Sequence, residues 1–460
     1  MALASALSWW HPLDYDSVTD AMSNRGSNTG TMQLGSTVGA DTNDPVYLSH
    51  PSLDYIWIPE STGATNRVTT TITAIATDAA TIESFQTIRF DDLTPANAAW
   101  LWDASDAVGS TSNDVGLFLS SGGDLTARLT DGADATDDME ATVTLATAGL
   151  VIDTLYEIRM LIVDVDTATP DATFFWRIVG ATTWTQIGDL VTGSTDGALI
   201  TGMDSIRIGA ESIGGGWAAL QVDVDGTTAF EFIPEDIFSG TQASFTSGTN
   251  TWTVTRHSSG TVVALVDRPM LIFDGSDDYC EAADDDAYDF GTGDYSLAFA
   301  GRGHNTVNTA RHLISRRNDA VGWSLDTDGN AFAVRVNADA DDDRFTSTTD
   351  IYDSVAFSTQ GGRDSGDLEA FFNGVGSGSA TTSSTDVDND FVVRLCVESD
   401  TIGGAASQWA GEFYGAAVWD TALTDAEILA VHNAMILPEG GGSFVNLRVA
   451  GAGELLRTGS

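Results

Sequence analysis

The chain has 460 residues, 42% of them hydrophobic and 9% aromatic, which is material for two or three domains with substantial cores and excludes disorder as the main state. Its 67 Asp and Glu stand against 19 basic residues for a formal net charge of −48, and the sequence contains no lysine. So few cations cannot build a basic stripe, which excludes a general nucleic-acid binder and a protein held on an anionic membrane.

At the N-terminus no Arg or Lys precedes the short apolar stretch, and Trp9, Trp10, His11 and Pro12 end it early, so no signal peptide is expected. No run approaches the roughly 18 to 20 apolar residues that span a bilayer, so no membrane insertion is expected either. Residues 1–45 read as an N-terminal docking segment, with Trp9, Trp10, Leu13 and Tyr15 as an apolar docking patch; the alternative is that they form the first core strand.

From there on the signals are those of strands: short alternating runs rich in Val, Ile, Thr and aromatics, such as Leu125 to Leu129, Tyr156 to Val163, Thr251 to Thr255 and Ala331 to Val336, separated by Gly, Asp, Ser and Asn. One helix is predicted late in the chain, where Thr424-Asp-Ala-Glu427 reads as a capping box ahead of Ile428, Leu429, Val431 and Met435. The chain also repeats itself. Ser52-Leu-Asp-Tyr55 returns as Ser276-Asp-Asp-Tyr279, Val115-Gly-Leu-Phe-Leu119 as Val321-Gly-Trp-Ser-Leu325, Phe174-Phe175 as Phe371-Phe372, and Ile206-Arg-Ile-Gly-Ala-Glu-Ser212 as Val393-Arg-Leu-Cys-Val-Glu-Ser399. Four such pairs in one order predict a divergent tandem duplication. The expected division is a first sandwich over 46–235, a connector over 236–268 with a hairpin at Ser258-Ser259-Gly260, a second sandwich over 269–435 and a Gly-rich tail over 436–460 whose Phe444 to Val449 could add a strand to a neighbouring chain.

In the second copy, Phe273-Asp-Gly-Ser-Asp-Asp-Tyr279, Gly322-Trp-Ser-Leu325, Phe372-Asn-Gly374, Glu412-Phe-Tyr-Gly415 and Ala417-Val-Trp-Asp-Thr-Ala-Leu-Thr-Asp-Ala-Glu-Ile428 resemble the laminin G-like, concanavalin A-like jelly roll. The first copy lacks the closing helix signal and is given the same fold through the repeat alone. With the preceding Trp252 to Gly260 and Val266 to Met270, the chain resembles laminin G-like minor tail proteins of bacteriophages. The resemblance implies an all-β protein of tandem jelly-roll sandwiches with a short helix near the C-terminus. It further implies a non-enzymatic virion component, a minor tail or fibre protein, with other virion proteins as partners, homo-oligomerisation, release by lysis and host surface glycan as the expected ligand. The alternatives are a head-decoration protein of the same fold and a secreted or surface lectin.

Catalytic patterns are missing from the sequence: Glu398-Ser-Asp400 is not followed by the second Glu of a retaining glucanase strand, and no Gly-x-Ser-x-Gly elbow occurs. The six histidines are scattered and read as mostly surface or loop residues, while Trp323, Trp409 and Trp419 read as core or sheet-face residues rather than sugar platforms. Cys280 and Cys396 read as buried free thiols. Oxygen-rich loops leave calcium as the one candidate cofactor, with Asp274 and Asp278 as its ligands and the Asp284 to Asp286 run, Asp326 and Asp328 as further acids. Arg128 and Arg207 recur as Arg335 and Arg394; with cations so scarce, these four are expected to anchor carboxylates inside each sandwich.

Overall fold

A computed structural model describes residues 3–28, 30–35, 44–49, 53–60, 66–72, 79–105, 114–130, 139–145, 148–193, 203–210, 214–234, 244–247, 250–255, 263–304, 311–317, 321–328, 331–338, 341–346, 356–382, 385–397, 408–436, 447–450 and 454–457. It is an all-β structure whose one described α-helix is Asp425–Ile436. Two compact units share the chain: unit 1 takes Met1–Ser49 with Arg268–Phe444, and unit 2 takes His50–Asp267 with Val445–Ser460.

Unit 2 is a sandwich of two antiparallel eight-stranded sheets. The first runs Met139–Thr144, Asp124–Thr130, Asp114–Leu119, Ala99–Ser105, Ser205–Ala210, Arg67–Thr71, Asn250–Thr255, Ser244–Ser247. The second runs Thr185–Thr192, Asp171–Ile178, Leu155–Val163, Thr81–Phe90, Gly215–Val224, Tyr55–Ile58, Ala264–Val266, with Thr227–Phe232 also on Gly215–Val224. Alternate residues of both sheets, among them Trp102, Leu117, Ala127, Ile158, Met160, Phe174 and Trp217, meet in one apolar core, as the period of two requires.

Unit 1 repeats this strand order. Asp341–Thr346, Ala331–Ala338, Val321–Asp328, Arg311–Arg317, Val393–Leu395, Cys280–Ala282, Met32–Leu34 and Ala21–Asn24 form one half. Val375–Thr382, Asp367–Phe372, Phe357–Asp364, Tyr295–Gly303, Ala410–Trp419, Met270–Asp274 and Val46–Leu48 form the other. Ser8–Asp16 joins them: Ser8 to Trp10 pair with Val418 to Ala416, a bulge follows, and Tyr15 and Asp16 pair with Met22 and Ala21. Two register irregularities fall at matching places in both units, at Leu101 and Leu313 and at Ala218 and Tyr414, so the duplication extends to its β-bulges.

These anchors correct parts of the sequence reading. Tyr55 does not correspond to Tyr279: the strand Tyr55–Ile58 lies on Gly215–Val224 as Met270–Asp274 lies on Ala410–Trp419, and Cys280–Ala282 takes the place of Arg67–Thr71. Cross-strand pairing likewise matches Phe175, not Phe174, to Phe371. A one-residue slip of this kind puts a side chain on the opposite sheet face, and similarity of letters alone does not detect it. The N-terminal residues are not a separate segment, because their strands complete unit 1 and bury Trp10, Met22, Met32 and Leu34 in its core. The hairpin expected at 258–260 lies outside the described residues; the strands before and after it, Asn250–Thr255 and Ala264–Val266, enter opposite sheets of unit 2. Leu447–Ala450 pairs with Glu454–Arg457 of the same chain.

Local chemistry explains the turns and the helix. Asn373-Gly374 and Asp225-Gly226 both have positive φ at two successive residues, as a two-residue hairpin needs. The Thr424 amide and hydroxyl both donate to Glu427 Oε2, at 2.9 and 2.7 Å, closing the helix N-terminus and holding the Glu427 carboxyl below its usual range. Ile428, Val431 and Met435 are buried, whereas Leu429 is exposed.

Candidate functional site

Alternation along Ser8–Asp16 splits the four proposed docking residues. Trp10 faces the core with no exposure, while Trp9 is half-buried on the other face, with Arg25 4.8 Å from its ring and His11 edge-on to it. Leu13 is 42% exposed, and Tyr15 stacks on Tyr47 at 4.5 Å and donates to Asp20 at 3.0 Å. They do not form one patch. Burial, reinforced by the Arg25 charge, holds His11 down at about 4.

The repeated arginines lie in one cross-strand row in each unit. In unit 2 the row runs Thr69, Arg207, Asp103, Gly116, Arg128; in unit 1 it runs Glu281, Arg394, Ser315, Ser324, Arg335. Arg207 pairs with the fully buried Asp103, whereas Arg394 reaches the opposite neighbour, Glu281, at 3.1 Å, because a serine stands where the aspartate would be. Arg335 lies 3.2 Å from Asp326, which also takes His312 at 2.7 Å and Arg317 at 3.5 Å. The guanidinium of Arg128 is 6.0 Å from the Trp100 ring. Asp326 is therefore no loop ligand: it is fully buried on the strand Val321–Asp328, and contact with His312, Arg335 and Arg317 holds its carboxyl low against the desolvation that would raise it.

His304 and His312 are buried partners of Glu412 and Asp326 rather than loop residues, and His11 is buried too. Glu412 receives His304 Nε2 at 3.0 Å, Arg302 at 3.3 Å and the Tyr414 hydroxyl, and although burial opposes it, this set holds the acid down at about 2. Trp323, Trp409 and Trp419 are all buried, and Cys280 and Cys396 are buried free thiols pushed well above their ordinary range by desolvation.

Of the proposed calcium ligands, Asp274 and Asp278 come together with Asp277, with one carboxylate oxygen of each within 4.8 Å of the others. Their loop follows the strand Met270–Asp274 and is shaped by Asp278 Oδ2 accepting from the Asp274 amide at 2.7 Å and Asp274 Oδ1 accepting from the Ser276 amide at 2.6 Å. Burial, with the neighbouring Asp274 charge, pushes Asp278 up to about 8. Three hard oxygen donors on one loop suit a calcium ion by donor type, and a cation there would offset the mutual repulsion. Asp284 is instead occupied with Arg316 at 2.6 Å.

A further surface appears only when the two units are compared. In unit 1 the outer face of the second sheet lies under the helix: Ser296 Oγ donates to Thr421 O and accepts from the Leu423 amide, both at 3.0 Å, and Ser358 Oγ lies 2.8 Å from His432 Nδ1. Small residues, Ala298, Ala300, Ala417, Gly362 and Ser358, allow that close approach. The corresponding positions in unit 2 hold Phe85, Thr87, Gln221, Leu161 and Glu157, and among the described residues no helix covers them. One row across five strands reads Gln221, Phe85, Arg159, Phe175, Gln186, and the next reads Thr87, Glu157, Arg177.

Arg159 pairs with Glu83 and lies 5.6 Å from the Phe85 ring and 5.1 Å from the Phe175 ring. Arg177 pairs with Glu157 and lies 4.3 Å over Trp184. Arg159, Phe175, Trp184 and Glu83 all remain partly exposed. Phe85, Glu157 and Arg177 are buried, so what the face offers is the Phe175 and Trp184 rings for the apolar side of a ligand beside the Arg159–Glu83 pair for its hydroxyls. In the sequence, the alternation Glu83, Phe85, Thr87 and Glu157, Arg159, Leu161 carries this signal, but the pairing that brings the two runs together does not show in either.

No protein-family model and no curated protein sequence matches the chain. Among solved structures it is similar to a receptor-binding domain at 14% identity and a TM-score of 0.29, covering 37% of this chain and 40% of that one. A structure described by the cell entry of botulinum neurotoxin type C through two ganglioside molecules is similar at 12% identity and a TM-score of 0.30, over 37% of this chain and 40% of that one. The binding domain of botulinum neurotoxin DC in complex with rat synaptotagmin II is similar at 14% identity and a TM-score of 0.29, over 37% and 41%.

Proposed function

We propose that the protein is a non-catalytic virion protein of the minor tail or fibre kind, which engages surface glycan through the outer sheet face of unit 2. The observation that carries the binding half of this reading is the contrast between the matching faces: one lies under a helix, while the other has no helix over it among the described residues and leaves Glu83, Arg159, Phe175 and Trp184 partly exposed. The virion half rests on the resemblance of the second copy to laminin G-like minor tail proteins. A partly exposed ion pair such as Arg159–Glu83 suits a polyhydroxylated ligand, because a carboxylate and a guanidinium have more hydrogen-bonding positions than one contact between them uses.

The test uses the intact protein on a glycan array beside the variants Trp184→Ala and Phe175→Ala. Binding that falls at least tenfold in both variants supports the reading; binding unchanged in both, or none to any glycan, removes the proposed face. Mass spectrometry of purified particles tests the virion assignment, which fails if the chain is missing from them. We also propose calcium at Asp274, Asp277 and Asp278. Added calcium is expected to raise the melting temperature and chelator to reverse it, and no shift for the intact protein in millimolar calcium refutes that site.

A further inference from the structure

Each unit completes its sandwich with four short strands that the rest of the unit cannot supply. In unit 2 these are Thr227–Phe232, Ser244–Ser247, Asn250–Thr255 and Ala264–Val266, and the strands they join, Gly215–Val224, Arg67–Thr71 and Tyr55–Ile58, lie in the same unbroken stretch of chain, 50–267. In unit 1 they are Ser8–Asp16, Ala21–Asn24, Met32–Leu34 and Val46–Leu48, and the whole of unit 2 separates them from their partners Met270–Asp274, Cys280–Ala282 and Ala410–Trp419. Without them, the edges of all three partner strands lose backbone pairing, and a core containing Trp10, Met22, Met32 and Leu34 is opened.

We infer that these four strands are exchangeable between copies, so that the partner of this surface is a second copy of the same chain, which inserts its residues 8–48 into unit 1 of its neighbour. The exchanged and closed forms make the same strand pairs and bury the same core, so they differ in connection and in the entropy of association rather than in contacts. Concentration then selects between them. Closure within one chain is favoured below an effective concentration on the order of millimolar for a short connection, and exchange is favoured where copies are crowded together.

Val46 and Ile272 are register partners at the outer edge of this contact, with Val46 43% exposed, and neither belongs to the core cluster. All variants are full-length and made in a Cys280→Ala/Cys396→Ala background, so that the two native thiols cannot cross-link on refolding; Val46→Cys and Ile272→Cys are then mixed, unfolded in urea and refolded together without reductant at about 10 µM to 1 mM, a range that approaches the effective concentration of closure. The products are read by non-reducing electrophoresis and light scattering. A covalent pair containing one chain of each variant, rising at least fivefold across that range and missing when either variant is refolded without the other, is expected. The double variant Val46→Cys/Ile272→Cys in one chain, refolded dilute, is expected to bridge within itself. If it does so while the mixture yields no covalent pair at the highest concentration, the inference is overturned. If the double variant does not bridge, scattering decides: a mass that stays at one chain overturns the inference, and a rise towards two supports it.

Discussion

Replacing Trp10 by Ala separates a core strand from a docking segment. The Trp10 side chain has no exposed surface, and its indole N–H has no acceptor among the described residues, so its loss is one of packing alone. A buried Trp removes about 200 Å² from water, worth about 5 kcal/mol, and Ala recovers a part of that. The expected destabilisation of unit 1 is about 3 to 5 kcal/mol, the range for Trp to Ala in a closed core, against a net stability of about 5 to 15 kcal/mol for a domain. For a unit of this size that lowers Tm by about 6 to 20 °C. Hydrogen exchange read by mass spectrometry localises it: protection should fall in Ala410–Trp419 and Tyr295–Gly303 and stay unchanged in Thr81–Phe90 of unit 2. Trp9→Ala, on the half-buried face, should cost under about 1 kcal/mol. The reasoning is refuted if both variants shift Tm equally, or if Trp10→Ala leaves unfolding unchanged.

Other outcomes follow from the buried charges and turns. Arg207→Met leaves Asp103 buried without its cation and should cost about 3 to 5 kcal/mol in urea unfolding, whereas Arg25→Met, at the partly exposed pair with Asp14, should cost about 1 kcal/mol or less. Glu412 titrates at about 2 when folded and near 4.5 when unfolded, so its contribution is full above pH 4.5 and lost as pH falls towards 2. His11 titrates at about 4 when folded and 6.5 when unfolded, so it contributes above pH 6.5 and its share, on the order of 3 kcal/mol, disappears as pH falls towards 4. Melting curves of His11→Asn should accordingly flatten between pH 6.5 and 4 while keeping the loss at lower pH. Gly374→Ala meets a φ of 75° and the Leu429 side chain at 2.8 Å, and should destabilise unit 1 by about 1 kcal/mol or more on thermal unfolding.

Strands and the helix were legible because their signals are local. Alternation marks Leu155–Val163, and Thr424 with Glu427 marks the start of the helix, within windows of a few residues. The duplication was legible as well, but not its register, since the residues that fix it are bulges at Leu101 and Leu313 that leave no letter pattern. The sequence reading grouped Trp9 with Trp10 by adjacency, and a strand sends neighbours to opposite faces. Pairing Arg207 with Asp103 but Arg394 with Glu281 depends on which flanking strand carries the acid, and that is settled only by sheet order. The same holds for the row from Gln221 to Gln186, in which three consecutive strands, Leu155–Val163, Asp171–Ile178 and Thr185–Thr192, join the distant Thr81–Phe90 and Gly215–Val224.

The wide separation of Ser8–Asp16 from Ala410–Trp419 also sets a timetable for synthesis. At about 5 to 20 residues per second, the first strands leave the ribosome roughly 20 to 80 seconds before their partners do. During that interval residues 50–267 of unit 2 can fold, while Ser8–Asp16, Ala21–Asn24 and Met32–Leu34 have only one another to pair with. Asp14, Asp16, Asp20 and Arg25 place charge in and beside these strands, the type of side chain that opposes edge-to-edge joining of unpaired strands.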